Sequence, residues 1–110
     1  MGKEWVVQDR YGNTIYLTHE RWEHIINPCG HPEMEGYLDH LRETVKTGKK
    51  QQDPLDPRKY RYLKYFENLV GDNNHIVAVV KFRLEVDDKG NTVENNFVLT
   101  AYQKFTKSKG

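Results

Sequence analysis

The stretch of sequence that decides the fold is HIVAVVKFRLEV, residues 75–86. Its side chains alternate as in a β-strand, where successive residues point to opposite faces. One face is apolar throughout: Ile76, Ala78, Val80, Phe82, Leu84 and Val86. The other combines valines with cations: Val77, Val79, Lys81 and Arg83. Because such a strand packs one face on a core, the stretch predicts the central strand of an antiparallel sheet.

Two further strands are predicted around it. Tyr60–Glu67 alternates aromatic and basic residues, and Asn96–Phe105 returns after a turn at Asp87–Asn91. If this last hairpin pairs as its turn indicates, polar side chains share the face away from the core: Lys81, Arg83, Thr100, Tyr102 and Lys104. Val98 is expected on the same face. The alternative is an ordinary solvated sheet surface.

The N-terminal half predicts a hairpin and two helices. Trp5–Gln8 and Thr14–Leu17 are β-rich segments around a turn, and Thr18 fits the N-cap of a first helix. A second helix is expected from Pro32 to Gly48, with the helical stripe Met34, Tyr37, Leu38, Leu41 and Val45. Residues 48–59 are expected to form a linking loop, and residues 106–110 a flexible tail.

Together these segments predict one α+β domain over residues 1–110, with the hairpin and helices packed on an antiparallel sheet of about four strands. The net charge is only +1, but residues 1–41 carry −4 and residues 42–64 carry +5. A basic segment of this size suits either phosphate binding or a solvated loop. With one cysteine, no signal-peptide pattern and no long apolar stretch, we expect a cytoplasmic protein that does not enter a membrane.

Two histidines in the run Leu17–Glu33 are the first candidates for chemistry. His24 lies opposite the buried stripe of the first helix, and His31 precedes Pro32 where the chain turns. Imidazole exchanges protons near neutral pH, although His31 also suits a helix cap. The other histidines, at positions 19, 40 and 75, are expected at the surface. Since His19, His24, Cys29 and His31 match no standard zinc spacing, no metal or cofactor is expected.

Three pieces of sequence in this order resemble the small, phage- and mobile-element-associated nuclease domains of the Barnase–EndoU–colicin–RelE type. They are Leu17-Thr18-x-x-Arg21-Trp22-x-His24-Ile25, His31-Pro32-Glu33-Met34, and Phe97-Val98-Leu99-Thr100-Ala101-Tyr102. The resemblance extends from about residue 14 to residue 105. It implies N-terminal helices before a four-stranded antiparallel sheet, and metal-independent cleavage of RNA.

The resemblance also implies roles for particular residues. The expected catalytic set is His24, His31, Lys81, Thr100 and Tyr102. On the strand Tyr60–Glu67 the match is looser and leaves Arg61, Lys64 or Tyr65 as substrate-binding residues, and Arg83 and Lys104 are expected to assist them. The implied partners are RNA and an antitoxin or other inhibitor protein.

The chemistry of such a site requires a base for the ribose 2′-OH, an acid for the leaving 5′-oxygen, and groups that stabilise the phosphorane. Two imidazoles can share the proton transfers, and Lys81 with Thr100 and Tyr102 can meet the developing charge. One departure weighs against catalysis: Gly30 stands where members of this family usually have a basic residue. The alternative function is therefore an inactive RNA-binding or protein-interaction module on the same scaffold.

Overall fold

The computed structural model of the chain describes residues 2–107. Eight strands and two α-helices follow one another, with a short 3₁₀ turn at Pro32–Met34. In chain order the elements are β1 (Lys3–Gln8), β2 (Thr14–Thr18), α1 (His19–Ile26), α2 (Leu38–Thr47), β3 (Lys49–Gln52), β4 (Lys59–Tyr65), β5 (His75–Lys81), β6 (Leu84–Val86), β7 (Thr92–Glu94) and β8 (Asn96–Lys104).

The domain is α+β, as the sequence predicts, but the prediction of an antiparallel sheet of about four strands is wrong. The main sheet has six strands in the order β1-β2-β8-β5-β4-β3, and β6 and β7 form a separate two-stranded ribbon. The main sheet is mixed, because β2 pairs with β8 in parallel while the other pairs are antiparallel.

Two additions enlarge the sheet. The first hairpin joins it through β2, which pairs with β8 at Ile15–Asn96 and Tyr16–Phe97. On the other side, Lys49–Gln52 pairs with β4 as an edge strand, although this segment is predicted as loop. Its sequence, Lys-Lys-Gln-Gln, has no apolar alternation to signal a strand. Polar and charged residues of this kind are common on edge strands, where they oppose pairing with another chain.

The stretch 75–86 is not one continuous strand. It ends as a strand of the main sheet at Lys81, and the Phe82 amide makes the last hydrogen bond in register with β4, to the Arg58 carbonyl at 2.7 Å. Leu84–Val86 then pairs with Thr92–Glu94 in the separate ribbon. Arg83 is therefore not part of the predicted sheet strand, although its guanidinium lies 5.7 Å from the ring centre of Phe97 on β8.

The helices differ from the prediction at one point. Thr18 caps α1 as expected, accepting a hydrogen bond from the Arg21 amide at 3.0 Å. The second predicted helix is interrupted, however: the 3₁₀ turn ends at Met34, Gly36 has a φ of +88°, and α2 begins at Leu38. A right-handed helix cannot continue through a positive φ, which glycine adopts readily.

The core lies on one face of the main sheet. Ile76, Ala78 and Val80 of β5 pack there with Leu41 and Val45 of α2. Val77 and Val79 are also buried but do not belong to this cluster, because alternation places them on the opposite face. We call this opposite face, which carries Val77 and Val79, the open face.

The sheet curves so that the tip of the first hairpin reaches β3 and β4. There the Tyr62 hydroxyl donates to the Asp9 carboxylate, and both residues are buried. The Lys50 ammonium lies 4.7 Å from the ring centre of Tyr11 and 4.8 Å from that of Tyr60. These contacts fasten the first hairpin to the far side of the sheet.

At the other end of the chain, Thr106 exchanges two hydrogen bonds with Asn74, at 2.8 and 3.0 Å. Residues 108–110, the end of the predicted tail, lie outside the described residues. Neither helix within residues 2–107 has the length and apolar character that a membrane span needs.

Tyr62→Phe tests the fastening of the hairpin. Removing the hydroxyl takes a hydrogen bond from a buried carboxylate, so we expect a loss of about 1–3 kcal/mol in the free energy of unfolding, measured by urea denaturation. Tyr60→Phe is the matched control, since it keeps the ring beside Lys50. Equal losses in the two variants would contradict this role for Tyr62.

Acid should weaken the same contact. Burial alone would raise the pKa of Asp9, but hydrogen bonds from Tyr62, Asn13 and Tyr11 lower it below its ordinary 3.8. Since folding lowers this pKa, the carboxylate stabilises the fold above pH 3.8, and that contribution disappears as the pH falls through the folded value. Urea midpoints below pH 4 should therefore decline less steeply for Asp9→Asn than for the unmodified chain; parallel declines would contradict the assignment.

Candidate functional site

The open face is organised in rows of paired residues across β4, β5 and β8. From one end of the strands to the other the rows are Lys59–Lys81–Phe97, Arg61–Val79–Thr100, Leu63–Val77–Tyr102 and Tyr65–His75–Lys104. Valines thus form the middle of this face, and hydroxyl, aromatic and cationic side chains surround them. Adjacent rows on one strand are about 7 Å apart and adjacent strands about 5 Å apart.

An irregularity in β8 decides which side chains reach this face. Val80 pairs with Val98 and Val79 pairs with Thr100, so Leu99 is an extra residue on β8. Such a bulge changes the alternation along the strand. Val98 therefore lies in the core, contrary to prediction, while Thr100 and Tyr102 remain with the open face.

His31 lies against Tyr102. The His31 amide donates to the Ile25 carbonyl at 2.7 Å, which fixes the turn that follows α1. The centres of the His31 and Tyr102 rings are 5.5 Å apart, with 35° between the ring planes. The His31 side chain is 42% exposed, so the ring is both positioned and accessible.

Glu33 connects His31 to the sheet. Its Oε2 lies 3.5 Å from Nδ1 of His31 and accepts a hydrogen bond from the Gln103 amide at 3.3 Å. In return, the Gln103 side-chain amide donates to the Glu33 carbonyl at 2.9 Å. One carboxylate oxygen thus meets both the imidazole and the backbone of β8. The sequence carries the signal for this partner, a Glu two residues after His31, although Glu33 is not among the predicted site residues.

Gly30 stands where a basic residue is expected, and its surroundings explain why. A Cβ at this position would lie 2.7 Å from the His24 carbonyl oxygen and 3.0 Å from that of Ile25. Any side chain would therefore require the turn after α1 to shift. The missing basic residue follows from how closely this turn packs on the end of the helix.

His24, the other predicted imidazole, is exposed in the last turn of α1. This agrees with its predicted position opposite the buried Trp22 and Ile25. The contacts that hold His31 on Tyr102 do not involve the His24 ring. The structure therefore places one of the two predicted imidazoles against a residue of the predicted set.

The two cations nearest the middle of the open face are paired with carboxylates of the loop 53–58. The Lys81 ammonium lies 2.7 Å from the Asp56 carboxylate, and the Arg61 guanidinium lies 3.3 Å from that of Asp53. The hydrogen bond from Lys81 is the main reason that the pKa of Asp56 is lowered. Lys81 is four residues along β5 from the row of Tyr102, roughly 13 Å away.

The remaining predicted binding residues are dispersed. Lys64 pairs with Ile76 on the core face of the sheet, and its ammonium is 5.9 Å from the Phe66 ring centre, so it does not share the open face. Tyr65 does share it, and its ring meets that of His75 at 5.8 Å. His75 is only 4% exposed, so the prediction of a surface position for it is wrong. Lys104 completes the same row.

A second cationic and aromatic group occupies the opposite end of the open face. The rings of Tyr16 and Phe97 are 6.1 Å apart, and the Arg83 guanidinium lies 5.7 Å from the Phe97 ring centre. Together with Arg21 they line a hollow of about 200 Å³. Flat rings beside guanidinium groups are suited to stacking on bases of single-stranded nucleic acid.

Among residues 2–107 no group of three or more His, Cys, Asp or Glu is placed to hold a metal ion. Cys29 is exposed and unpaired with another cysteine.

Comparison with protein-family models, with curated proteins and with solved structures found no match for this chain.

The Lys81–Asp56 pair can be measured directly. Carboxyl-carbon NMR titration should give a pKa for Asp56 below 3.8, and Lys81→Met should raise it toward that value because the neutral side chain no longer donates to the carboxylate. Lys89→Met, in the turn after β6, is the matched control and should leave Asp56 unchanged. An Asp56 pKa that is the same in all three proteins would show that the ion pair does not form in solution.

Proposed function

We propose that this chain is a metal-independent endoribonuclease of the toxin- or phage-associated kind, which binds RNA on the open face and uses His31 for proton transfer. The main support is the position of His31, whose Nδ1 faces the Glu33 carboxylate while its ring lies against Tyr102. A carboxylate behind one ring nitrogen keeps the proton there and leaves the other nitrogen available as a base.

The proposed reaction is attack of a ribose 2′-oxygen on the adjacent phosphorus. The base removes the 2′-OH proton, the new P–O bond forms as the bond to the 5′-oxygen breaks, and the acid protonates that oxygen. The products are a 2′,3′-cyclic phosphate and a 5′-hydroxyl. His31 supplies one proton transfer and His24 is proposed for the other, each worth roughly 10²–10⁴-fold in rate.

The proposed binding groups surround that reaction centre. The hydroxyls of Tyr102 and Thr100 are one row apart on β8 and can donate to phosphate oxygens. Arg61 lies in the same row as Thr100, two strands away, about 10 Å across the sheet. The rings of Tyr16 and Phe97 offer stacking surfaces for bases beyond the scissile linkage.

Membership of the Barnase–EndoU–colicin–RelE type is part of this proposal and rests on the sequence resemblance described above. So do a cytoplasmic location, for which the single cysteine is the argument, and an inhibitor protein that restrains the activity.

A second function has specific support: RNA binding without cleavage. Lys81 and Arg61, the cations that would stabilise a phosphorane, are both held by carboxylates. In addition, Gly30 replaces the basic residue that the related nucleases usually have. An RNA phosphate that displaced Asp53 and Asp56 would be contacted by both cations, as cleavage requires. RNA that left these two ion pairs intact would be bound without being cleaved.

His31→Ala tests the proposed function. The unmodified chain should cleave a fluorescently labelled RNA oligonucleotide in EDTA, and the variant should lose about 10²-fold or more of that rate because a positioned acid–base group is gone. His19→Ala is the matched control, since it removes an exposed histidine whose ring contacts Glu4.

The outcomes separate the two functions. Cleavage that depends on His31 but not on His19 supports the nuclease. Tight binding of the same RNA without any cleavage by the unmodified chain supports the binding module. Cleavage that survives His31→Ala unchanged would contradict the assigned role of the imidazole.

A further inference from the structure

The hollow of about 200 Å³ at the Phe97 end of the open face is small and positively charged. Arg21 and Arg83 line it together with the rings of Tyr16 and Phe97. None of its seven lining residues within the described part of the chain is an aspartate or glutamate. Sites that enclose a whole small molecule have volumes of about 300–1,000 Å³, so this hollow suits one group of a longer ligand.

Both guanidinium groups can accept a new partner. Arg21 is exposed in the first turn of α1, and no ion pair within residues 2–107 occupies it. The Arg83 guanidinium lies 3.8 Å from the Glu85 carboxylate, which is too long for a hydrogen bond, and both side chains are about half exposed. Exposed ion pairs of this kind are weak, so a phosphate can replace Glu85 as the partner of Arg83.

A network of hydrogen bonds holds the wall of the hollow in place. The Asn95 amide donates to the Arg83 carbonyl at 2.8 Å, which fixes the backbone at Arg83 beside the start of β8. The Tyr16 hydroxyl donates to the Asn95 side-chain oxygen at 2.7 Å, and the Asn95 side-chain nitrogen donates to Glu85 at 2.8 Å. The Glu85 oxygen nearest Arg83 already accepts this last bond, so the guanidinium keeps its N–H donors for another acceptor.

Aromatic rings lie beside these cations. The ring centres of Tyr16 and Phe97 are 6.1 Å apart, and the Arg83 guanidinium lies 5.7 Å from that of Phe97. The Lys3 ammonium, 4.5 Å from the ring centre of Tyr16, adds a third cation. Aromatic rings combined with cations hold single-stranded nucleic acid through its bases and its phosphates. An acidic peptide would meet the cations but would not need the rings.

We infer that this hollow holds a backbone phosphate of single-stranded RNA between the guanidinium groups of Arg21 and Arg83, with the neighbouring base on the Phe97 ring. The inference rests on the proposed function, because it adds a second point of contact on the strand that the open face binds.

The distance from the proposed reaction centre sets the length of that strand. Phe97 pairs with Lys81, which is four residues along β5 from the row of Tyr102, about 13 Å away. His31 lies against Tyr102, so a strand that reaches from His31 to the hollow spans more than one nucleotide. The ligand is therefore an oligonucleotide rather than a mononucleotide.

The test measures binding in the His31→Ala background, so that it does not depend on cleavage. A hexanucleotide RNA with 2′-O-methyl groups, which cannot undergo 2′-OH attack, is titrated at several salt concentrations. For single strands each neutralised phosphate contributes about −0.7 to the slope of log K against log salt. Arg21→Gln should make the slope shallower by about 0.7 and weaken binding at low salt about threefold to tenfold.

Arg42→Gln is the matched control, because Arg42 is an exposed arginine of α2, the helix that packs on the core face of the sheet. Urea midpoints check that both variants fold. Hexaglutamate, titrated in parallel, represents an acidic peptide and should bind more weakly than the hexanucleotide. The inference is overturned by any of three results: no binding of the hexanucleotide, equal effects of Arg21→Gln and Arg42→Gln, or hexaglutamate binding as tight as that of the hexanucleotide.

Cleavage assays separate this inference from the proposed function. If the unmodified chain does not cleave RNA in EDTA but the hexanucleotide binds with a salt slope that depends on Arg21, the nuclease proposal fails and the phosphate site stands. If cleavage depends on His31 while Arg21→Gln and Arg42→Gln bind the hexanucleotide alike, the nuclease stands and the hollow is not a phosphate site.

Discussion

The position of His31 depends on how the outer edge of β8 is covered. Within the described residues, β2 pairs with only the first two residues of β8, Asn96 and Phe97. The chain then turns away from β8 to form α1. The rest of this edge would expose unpaired backbone groups, which proteins seldom leave without a partner. Glu33 supplies one, by accepting the Gln103 amide through its carboxylate. A hydrogen bond to a charged acceptor of this kind is worth roughly 1.5–3 kcal/mol.

Gln103 extends the same contact into the core. It is only 7% exposed, and its side-chain oxygen accepts the Val70 amide at 2.9 Å while its nitrogen donates to Glu33. The loop between β4 and β5, the 3₁₀ turn and β8 are thereby joined at one residue. Because the Glu33 oxygen that meets Gln103 also faces His31, the support of the fold and the orientation of the imidazole share one carboxylate.

The loop 53–58 supplies two carboxylates that pair with cations of the open face, which the composition does not reveal. Asp53 and Asp56 hold Arg61 and Lys81, two of the cations nearest the valines in the middle of the face. An incoming phosphate would compete with these carboxylates for the same donors. Other cations lie at the margins of the face, Arg10 and Lys49 on one side and Arg21 and Arg83 on the other, and Arg83 is 3.8 Å from the Glu85 carboxylate.

Local patterns predicted the parts of this structure that depend on neighbouring residues. The first hairpin, the Thr18 cap and the apolar face of Ile76, Ala78 and Val80 follow from turn chemistry, capping and alternation. The six-stranded sheet could not be predicted from local patterns. Lys49–Gln52 becomes a strand only through pairing with β4, and the parallel β2–β8 pair joins segments that are distant in the sequence. The bulge at Leu99 is likewise set by the register of β5 and β8, and no residue type in the sequence predicts it. The ion pairs of Asp53 with Arg61 and of Asp56 with Lys81 were not predicted either, because they depend on how the loop 53–58 lies against the sheet.

The proposed role of His31 depends on one tautomer: with Glu33 Oε2 3.5 Å from Nδ1, the proton is proposed to stay on Nδ1 and Nε2 to act as the base. Long-range proton–nitrogen NMR of the neutral His31 ring measures this directly, because the two ring nitrogens differ in shift according to which carries the proton. The account predicts the Nδ1–H tautomer in the unmodified chain, with a weaker preference in Glu33→Gln. An Nε2–H tautomer in both proteins would contradict it.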